Sequence, residues 1–416
     1  MRRGSSPRPP SRARIGVALA GGGPLGGSYA IGALLALADS LVGIDLGALD
    51  VYVGVSSGAF VAAGLANHMS PAQMYALFIA DSGDASLAPH MFTRPALAAF
   101  ARRAAALPRQ LARAAWRGSK HDASRRGLVR TLANAWPAGV FDASALEREL
   151  ARLLASRGRS NDFRALDAEL LIVATRLESG EPVTFGDAGF DHVPISKAVQ
   201  ASAALPGLFA PVEIDGGRYV DGALSKTLHA SIALERDVEL LLCVNALVPL
   251  DSEAAARRHD SERDALADGG LPALVAQTVR TLLRSRLETS LRSCSRKFPR
   301  ADVLLFEPQR GDVEMFYANI LGYAHRKRLC AAAFADTRER LLRDARRMSR
   351  ILARHGIAVD RNRLSDRSRT IDDALGDPRA AGTRPRGVRE ASRELARTLD
   401  HLERWIGMRR AGQVPV

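Results

Sequence analysis

Two adjacent serines lie between glycines in Gly54-Val55-Ser56-Ser57-Gly58, after the apolar run "VYV" and ahead of the Ala-rich "AFVAAGLANH". G-x-S-x-G at a strand-to-helix junction is the pattern of a nucleophile on a strained turn, its hydroxyl thrown clear of the sheet edge. Neighbours two residues either side must lack a Cβ, or strand and helix collide. Gly54 and Gly58 meet that need for Ser56 and not for Ser57. A helix starting just after Ser56 also aims its backbone N–H groups and positive dipole end at the reacting centre. Ser56 is the candidate nucleophile. The competing reading is a tight turn in which Ser57 caps the helix.

A nucleophilic hydroxyl needs a group to take its proton. A triad asks for an acid and then a histidine downstream. The histidines are His68, His90, His121, His192, His229, His259, His325, His355 and His401. None sits in a conspicuous strand-end loop, and His229 falls in a predicted helix. Asp221 in "RYVDGA" is better placed, because it ends a short strand and precedes Gly222, presenting a carboxylate at the sheet rim. A buried carboxylate within hydrogen-bond reach of the hydroxyl can act as its general base. Its rival, Asp215, belongs to the hairpin turn Asp215-Gly216-Gly217.

The glycine run "GGGPLGG" over 21–27 admits two chemistries. Gly21-x-Gly23-x-x-Gly26 matches the dinucleotide fingerprint, which also wants an acid at the end of the second strand. That strand ends "VYVGVSS", and Asp50 stands at its beginning. The other chemistry is an oxyanion hole, in which side-chain-free backbone brings N–H groups to the oxygen that turns negative in acyl transfer. It uses the same glycines and requires no missing acid.

These residues need elements to hold them. "RIGVALA" (14–20) is predicted as a strand buried on both faces, followed by the glycine loop and a helix over 28–40. "VYVGV" and "GAFVAAGLANH" repeat the strand–helix unit, and Ser70 caps a further helix with Pro71 at its first position. "AELLIVATRLESGEPVTFG" (168–186) gives strand, turn, strand; "ISKAVQASAAL" (195–205) a helix; "FAPVEIDGGRYVDGA" (209–223) a hairpin; "VELLLCVNAL" (238–247) a buried strand. The alternation predicts an α/β fold, a central, mostly parallel sheet flanked by helices.

Outside that pattern lie a basic Pro/Ser-rich tail (1–13), expected to be disordered, and an Arg-rich, helical insertion over 94–140 that is a candidate lid. A mainly helical extension over 251–358, with a strand at "DVLLFEP" (302–308), is expected to pack on the catalytic domain of residues 14–250. A polar linker (359–387) then leads to a C-terminal amphipathic helix (388–416), whose Leu395, Leu399, Leu402 and Ile406 form one stripe.

The chain has 416 residues, 47% of them hydrophobic, so wholesale disorder is not expected. Its net charge of +14 favours an anionic partner. With 5% aromatic residues and no aromatic–basic interleaving, no nucleic acid is expected, and an anionic membrane surface stands ahead of it. Biased Arg usage with solvated helix faces is the plainer account of the same charge. Cys243, Cys294 and Cys330 match neither a disulfide framework nor a zinc spacing, which predicts a reducing compartment and no metal site. Ile15 to Ala38 carry no charge, but glycines and Pro24 interrupt the run, so neither half spans a bilayer. The expected location is cytoplasmic, with peripheral contact at the inner membrane; oligomeric state is left open.

The glycine loop, G-x-S-x-G and "ASAALPGLFAPVEIDGGRYVDGAL", in that order over residues 14 to 250, together resemble the patatin-like phospholipases. The resemblance implies a Ser–Asp dyad in place of a triad, with Ser56 as nucleophile and Asp221 as base. Gly21, Gly22 and Gly23 would supply the oxyanion hole, and Gly26, Gly54, Gly58 and Gly222 are the motif glycines. It implies a lipid or acyl-ester substrate (phospholipid, lysophospholipid or neutral glyceride) and no cofactor. Two departures stand out: Leu25 occupies a position usually held by Arg or Lys, and "DGALSKTLHA" lacks the Asn-x-Pro-like segment. They keep open a second reading, a catalytically degenerate binding or regulatory module at membranes.

Overall fold

The computed structural model describes residues 13–80, 139–249, 270–309 and 325–376, together with 95, 96, 105 and 251. The basic tail, most of the 94–140 insertion and the 388–416 helix lie outside the described residues. The chain begins with β1 (Ile15–Leu19), α1 (Gly23–Ser40), β2 (Leu41–Val42), β3 (Val51–Val55), α2 (Ser57–Ala66) and α3 (Pro71–Phe78). It continues with β4 (Gly139–Phe141), α4 (Ser144–Leu154), β5 (Glu169–Arg176), β6 (Pro182–Phe185), α5 (Ile195–Ser202) and β7 (Gly207–Phe209). The hairpin β8 (Val212–Ile214) and β9 (Gly217–Asp221) precedes α6 (Ala230–Leu234), β10 (Leu240–Val244), α7 (Gly270–Lys297) and β11 (Asp302–Phe306). The last described elements are α8 (Arg326–Arg343), α9 (Ala345–Arg354), β12 (Ala358–Val359), α10 (Arg361–Ser365) and α11 (Ile371–Leu375).

Among the described residues, the main sheet runs β11-β10-β1-β3-β5-β9-β8, with β6 also paired to β5. The first five strands of that order are parallel; β6, β8 and β9 run antiparallel to their neighbours. Strand residues alternate between two apolar layers. Val17, Leu19, Leu240 and Leu242 join the cluster under α1 and α2, whereas Ala18, Val53, Leu241 and Cys243 face Leu234 of α6 and Leu287 of α7. Burial on both faces explains why β1, β3 and β10 are uninterrupted apolar runs. The strand order reverses between β1 and β10, the kind of crevice in which open α/β sheets bind ligands.

Helix α1 starts at Gly23, inside the glycine run and five residues before the predicted Ser28. Gly22, at φ 155°, forms its N-cap, and Pro24 fits the first turn, where no N–H is needed. Ser70 caps α3 as predicted, its side chain accepting from Gln73 N at 3.2 Å while Gln73 Oε1 accepts from Ser70 N at 2.9 Å. The hairpin turns on Asp215 and Gly216, both with positive φ (51° and 74°), between the paired Ile214 and Gly217.

Two expectations on organisation are corrected. The boundary at residue 250 does not hold, because β11 pairs in parallel with β10 along its whole length and extends the central sheet. The extension supplies a sheet strand as well as helices. The linker expected from 359 is also displaced: β12 pairs with β2, and Leu364, Ile371 and Ala374 are buried, so residues 359–376 are part of the fold. Residues 377–387 lie outside the described set.

Candidate active site

The G-x-S-x-G turn is as tight as the sequence requires. A Cβ on Gly54 would lie 2.5 Å from Ala59 Cα, and one on Gly58 2.4 Å from the Leu19 carbonyl oxygen. Both contacts are with backbone, so neither neighbour can yield. Ser56 itself takes φ 53°, ψ −123°, a conformation that L-residues rarely adopt and that the surrounding packing must enforce. Its amide donates to Ser202 Oγ at 2.8 Å, and Ser202 Oγ donates to the Val173 carbonyl at 2.6 Å. Ser202, fully buried on α5, thus fastens the strained turn to β5. Sequence reasoning did not find this residue.

The Ser56 hydroxyl donates to Asp221 Oδ2 at 2.7 Å. Asp221 is 3% exposed, at the end of β9, and its Oδ1 accepts from the Ala223 amide at 2.8 Å. Gly222 lets the chain turn there, since a Cβ would lie 2.2 Å from the Val173 carbonyl oxygen. Burial pushes the Asp221 carboxyl up to about 6, against the opposing effect of its bonds to Ala223 and Ser56. That is a base of useful strength near neutral pH.

The other candidates are elsewhere. Among the described residues the Ser57 hydroxyl has no hydrogen-bond partner, and it does not cap α2. Asp215 is at the exposed hairpin tip, paired with His192 at 2.9 Å. His229 is buried next to Ser225 Oγ at 3.4 Å, and burial, with the nearby Lys226, lowers it to about 4. Among the described residues, no histidine bonds Ser56 or Asp221. Nor, among them, does any group of three His, Cys, Asp or Glu side chains form a metal-ligand set. Asp50 accepts from the Ile15 amide at 2.8 Å, at the opposite end of the strands from the glycine loop.

The glycine loop lies against this pair. A Cβ on Gly21 would meet Ser56 Cβ at 3.0 Å, and one on Gly26 would meet Ser57 Oγ at 3.1 Å. The Gly21 amide points to the Thr227 carbonyl at 3.4 Å and so is turned away from Ser56. Gly22 and Gly23 precede the first internal bond of α1, from Gly26 N to Gly22 O at 3.0 Å, so their amides have no helical acceptor. Gly21 supplies room, and among the described residues the Gly22 and Gly23 amides have no backbone acceptor. Leu25 is buried in the core at 4% exposure, so this position presents no cation to the loop. A cavity of about 80 Å³ opens beside Ser56, walled by Ile31, Phe60, Val61, Phe78, Leu146 and Phe209. Apolar walls with a few convergent polar groups are the usual make-up of a small-molecule pocket.

Fold and site together define an α/β protein with a serine on a strand-to-helix turn and a carboxylate in contact with it. The family model for patatin-like phospholipase matches residues 17–234, more than half of the chain. The chain belongs to the patatin-like phospholipase family, a family of lipid acyl hydrolases. Among curated proteins, the Uncharacterized protein R571 of Acanthamoeba polyphaga mimivirus is 31% identical over 101 residues, 24% of this chain and 33% of the relative. The chain thus matches about a third of that relative's length. Among solved structures, VipD from Legionella pneumophila aligns over 77% of this chain and 67% of its own, at 16% identity and a TM-score of 0.32.

Proposed function

We propose that this chain is a serine lipid acyl hydrolase, of phospholipase A or lysophospholipase type, working through a Ser56–Asp221 dyad. The single observation that carries the reading is the 2.7 Å bond from Ser56 Oγ to a buried Asp221 carboxylate, at the edge of an apolar cavity.

Asp221 takes the hydroxyl proton as Ser56 Oγ attacks the ester carbonyl carbon. The tetrahedral oxyanion is met by the amides of Gly22 and Gly23, reinforced by the N-terminal end of α2. On collapse the C–O bond breaks, and Asp221 returns its proton to the departing alcohol. Water then gives a proton to Asp221 and attacks the acyl-enzyme, releasing the fatty acid and restoring Ser56. No step calls on a metal or cofactor. With Leu25 buried, that position lends the oxyanion no cation, and among the described residues its stabilisation rests on backbone dipoles.

A fluorophosphonate probe followed by a lipid-class activity screen tests this. The expected result is labelling at Ser56, lost in Ser56→Ala together with at least ~10³-fold of the ester hydrolysis, in protein that still unfolds cooperatively. Labelling that survives Ser56→Ala but not Ser57→Ala would overturn the assignment. A wild-type chain that takes no label is the degenerate binding module instead.

A further inference from the structure

Helix α7 has 28 residues, about 42 Å at 1.5 Å per residue, whereas the five residues of β11 span about 17 Å. As the crossover between parallel neighbours β10 and β11, it runs antiparallel to them and starts at the end where the strands finish. Two contacts fix its height. Arg284 pairs with Glu307, one residue past the end of β11. Arg286 Nη1 donates to the Leu224 carbonyl at 3.1 Å, three residues after Asp221. Residues 270–283 therefore extend beyond the sheet rim, on the side that carries Ser56.

The projecting stretch is apolar on its outside. Leu271, Leu274, Val275, Val279 and Leu282 are 73, 53, 53, 48 and 60% exposed. At 100° per residue they fall within a sector of about 140°, opposite the buried Ala273, Arg280 and Leu287. Ordinary amphipathic packing gives the reverse, with aliphatic residues turned in and arginines out. Five large aliphatic side chains kept in water on one face mark an interaction surface. Farther from the rim the same sector continues with the exposed Arg286, Arg292 and Arg296, so apolar surface gives way to cationic surface along one line. Leu224, 44% exposed, sits next to Arg286 and extends the apolar region toward Asp221.

We propose that the outer face of residues 271–282 docks the protein on an anionic lipid surface. Its aliphatic side chains enter the acyl region, and Arg286, Arg292 and Arg296 meet headgroup phosphates. The inference rests on the lipid acyl-hydrolase reading for its choice of occupant, and charge supports the same choice, the chain carrying +14. Docked this way, the rim with Ser56 and its cavity faces the bilayer that holds the substrate.

The test is vesicle flotation of the full chain carrying Ser56→Ala, which leaves the lipid intact, on phosphatidylcholine vesicles with and without phosphatidylglycerol. Binding is expected only with phosphatidylglycerol, and Leu274→Glu/Leu282→Glu should weaken it at least about tenfold, from the two aliphatic groups lost. Both positions face water, so the thermal midpoint should not move; Leu274→Ala/Leu282→Ala gives a smaller loss in the same direction. Equal binding by parent and variant, equal binding to both vesicle types, or no binding at all overturns the proposal. So does light scattering in which the parent is a dimer and the variant a monomer while flotation is unchanged, which assigns the face to a second copy. Partition is read without the nucleophile, so a failure of hydrolysis in the Ser56 protein sinks the activity and leaves the docking result standing.

Discussion

Asp221 is ionisable, buried and bonded to the hydroxyl it is proposed to deprotonate, so its protonation state links activity to stability. Its carboxyl rises from 3.8 to about 6 on folding, chiefly by desolvation. Hydrolysis of a soluble ester should therefore climb with pH through about 6 and level off above it, as the base loses its proton. The sign for stability is opposite. A raised carboxyl favours the folded state fully below the unfolded value; that benefit, up to about 3 kcal/mol, is lost as pH rises from about 4 through 6, and above 6 the loss stays constant. Asp221→Asn should thus abolish hydrolysis yet stabilise the fold by roughly 1–3 kcal/mol near pH 8, with little gain near pH 4. Denaturant titration at the two pH values checks this, and an Asn variant less stable near pH 8 would contradict it. The contact between Ser56 and Asp221 could be anticipated from sequence because both residues sit in stretches whose glycines have a steric reason. Ser202 could not: it lies 146 residues from Ser56, and a serine in "VQASAAL" carries no local mark of its bond to a strained turn.

Among the elements, strands and helices with a plain period were readable, and those defined by long-range partners were not. β11 read as a strand but not as a member of the central sheet, since its place depends on β10, 62 residues upstream in the register Leu240↔Asp302. Helix α7 read as part of a mainly helical extension, yet Arg280 and Arg284 turn inward while Leu271, Leu274, Val275, Val279 and Leu282 face outward, an orientation fixed by Glu307 and Leu224. Helix α8 lies flat on α1 at Gly32, where a Cβ would stand 2.1 Å from the Cys330 carbonyl oxygen and 2.9 Å from Ala333 Cβ. Gly32→Ala gains about 1 kcal/mol of helix propensity but forces the two backbones apart. We expect a net loss of roughly 1–3 kcal/mol in chemical denaturation, with one cooperative transition because α8 and the sheet share a core. A more stable alanine variant would mean that the helices are not held this closely.

At the scale of the molecule, distant parts of the described chain are joined at Asp39, the penultimate residue of α1. Its side chain is fully buried and accepts from Arg338 at 3.0 Å, Arg363 at 3.2 Å and Arg369 at 2.6 Å. Arg338 also donates to the backbone carbonyls of Arg363 and Asp366 at 2.8 and 2.7 Å, which fixes the segment that the sequence presents as a polar linker. Polar composition misled there because Arg363 and Arg369 are partly buried by pairing with Asp39, and pairing across some 300 residues leaves no periodic trace. Part of the basic content is therefore structural, while the net charge remains available to an anionic partner. The carboxylate sits at the negative end of the α1 dipole, where only its cations make it tolerable. Asp39→Asn leaves three guanidinium groups short of a counter-charge, and removing one side of a buried ion network costs about 3–5 kcal/mol. The loss should be the same at low ionic strength and in about 0.5 M salt, because buried pairs are poorly screened. Asp39 stands some 16 residues along α1 from Gly23, about 24 Å from the proposed oxyanion donors. Below its lowered unfolding midpoint the variant should still label at Ser56 at the parental rate. An unchanged midpoint would show that residues 326–376 are held by their apolar contacts alone, and labelling lost while the fold persists would show that the network reaches the active site.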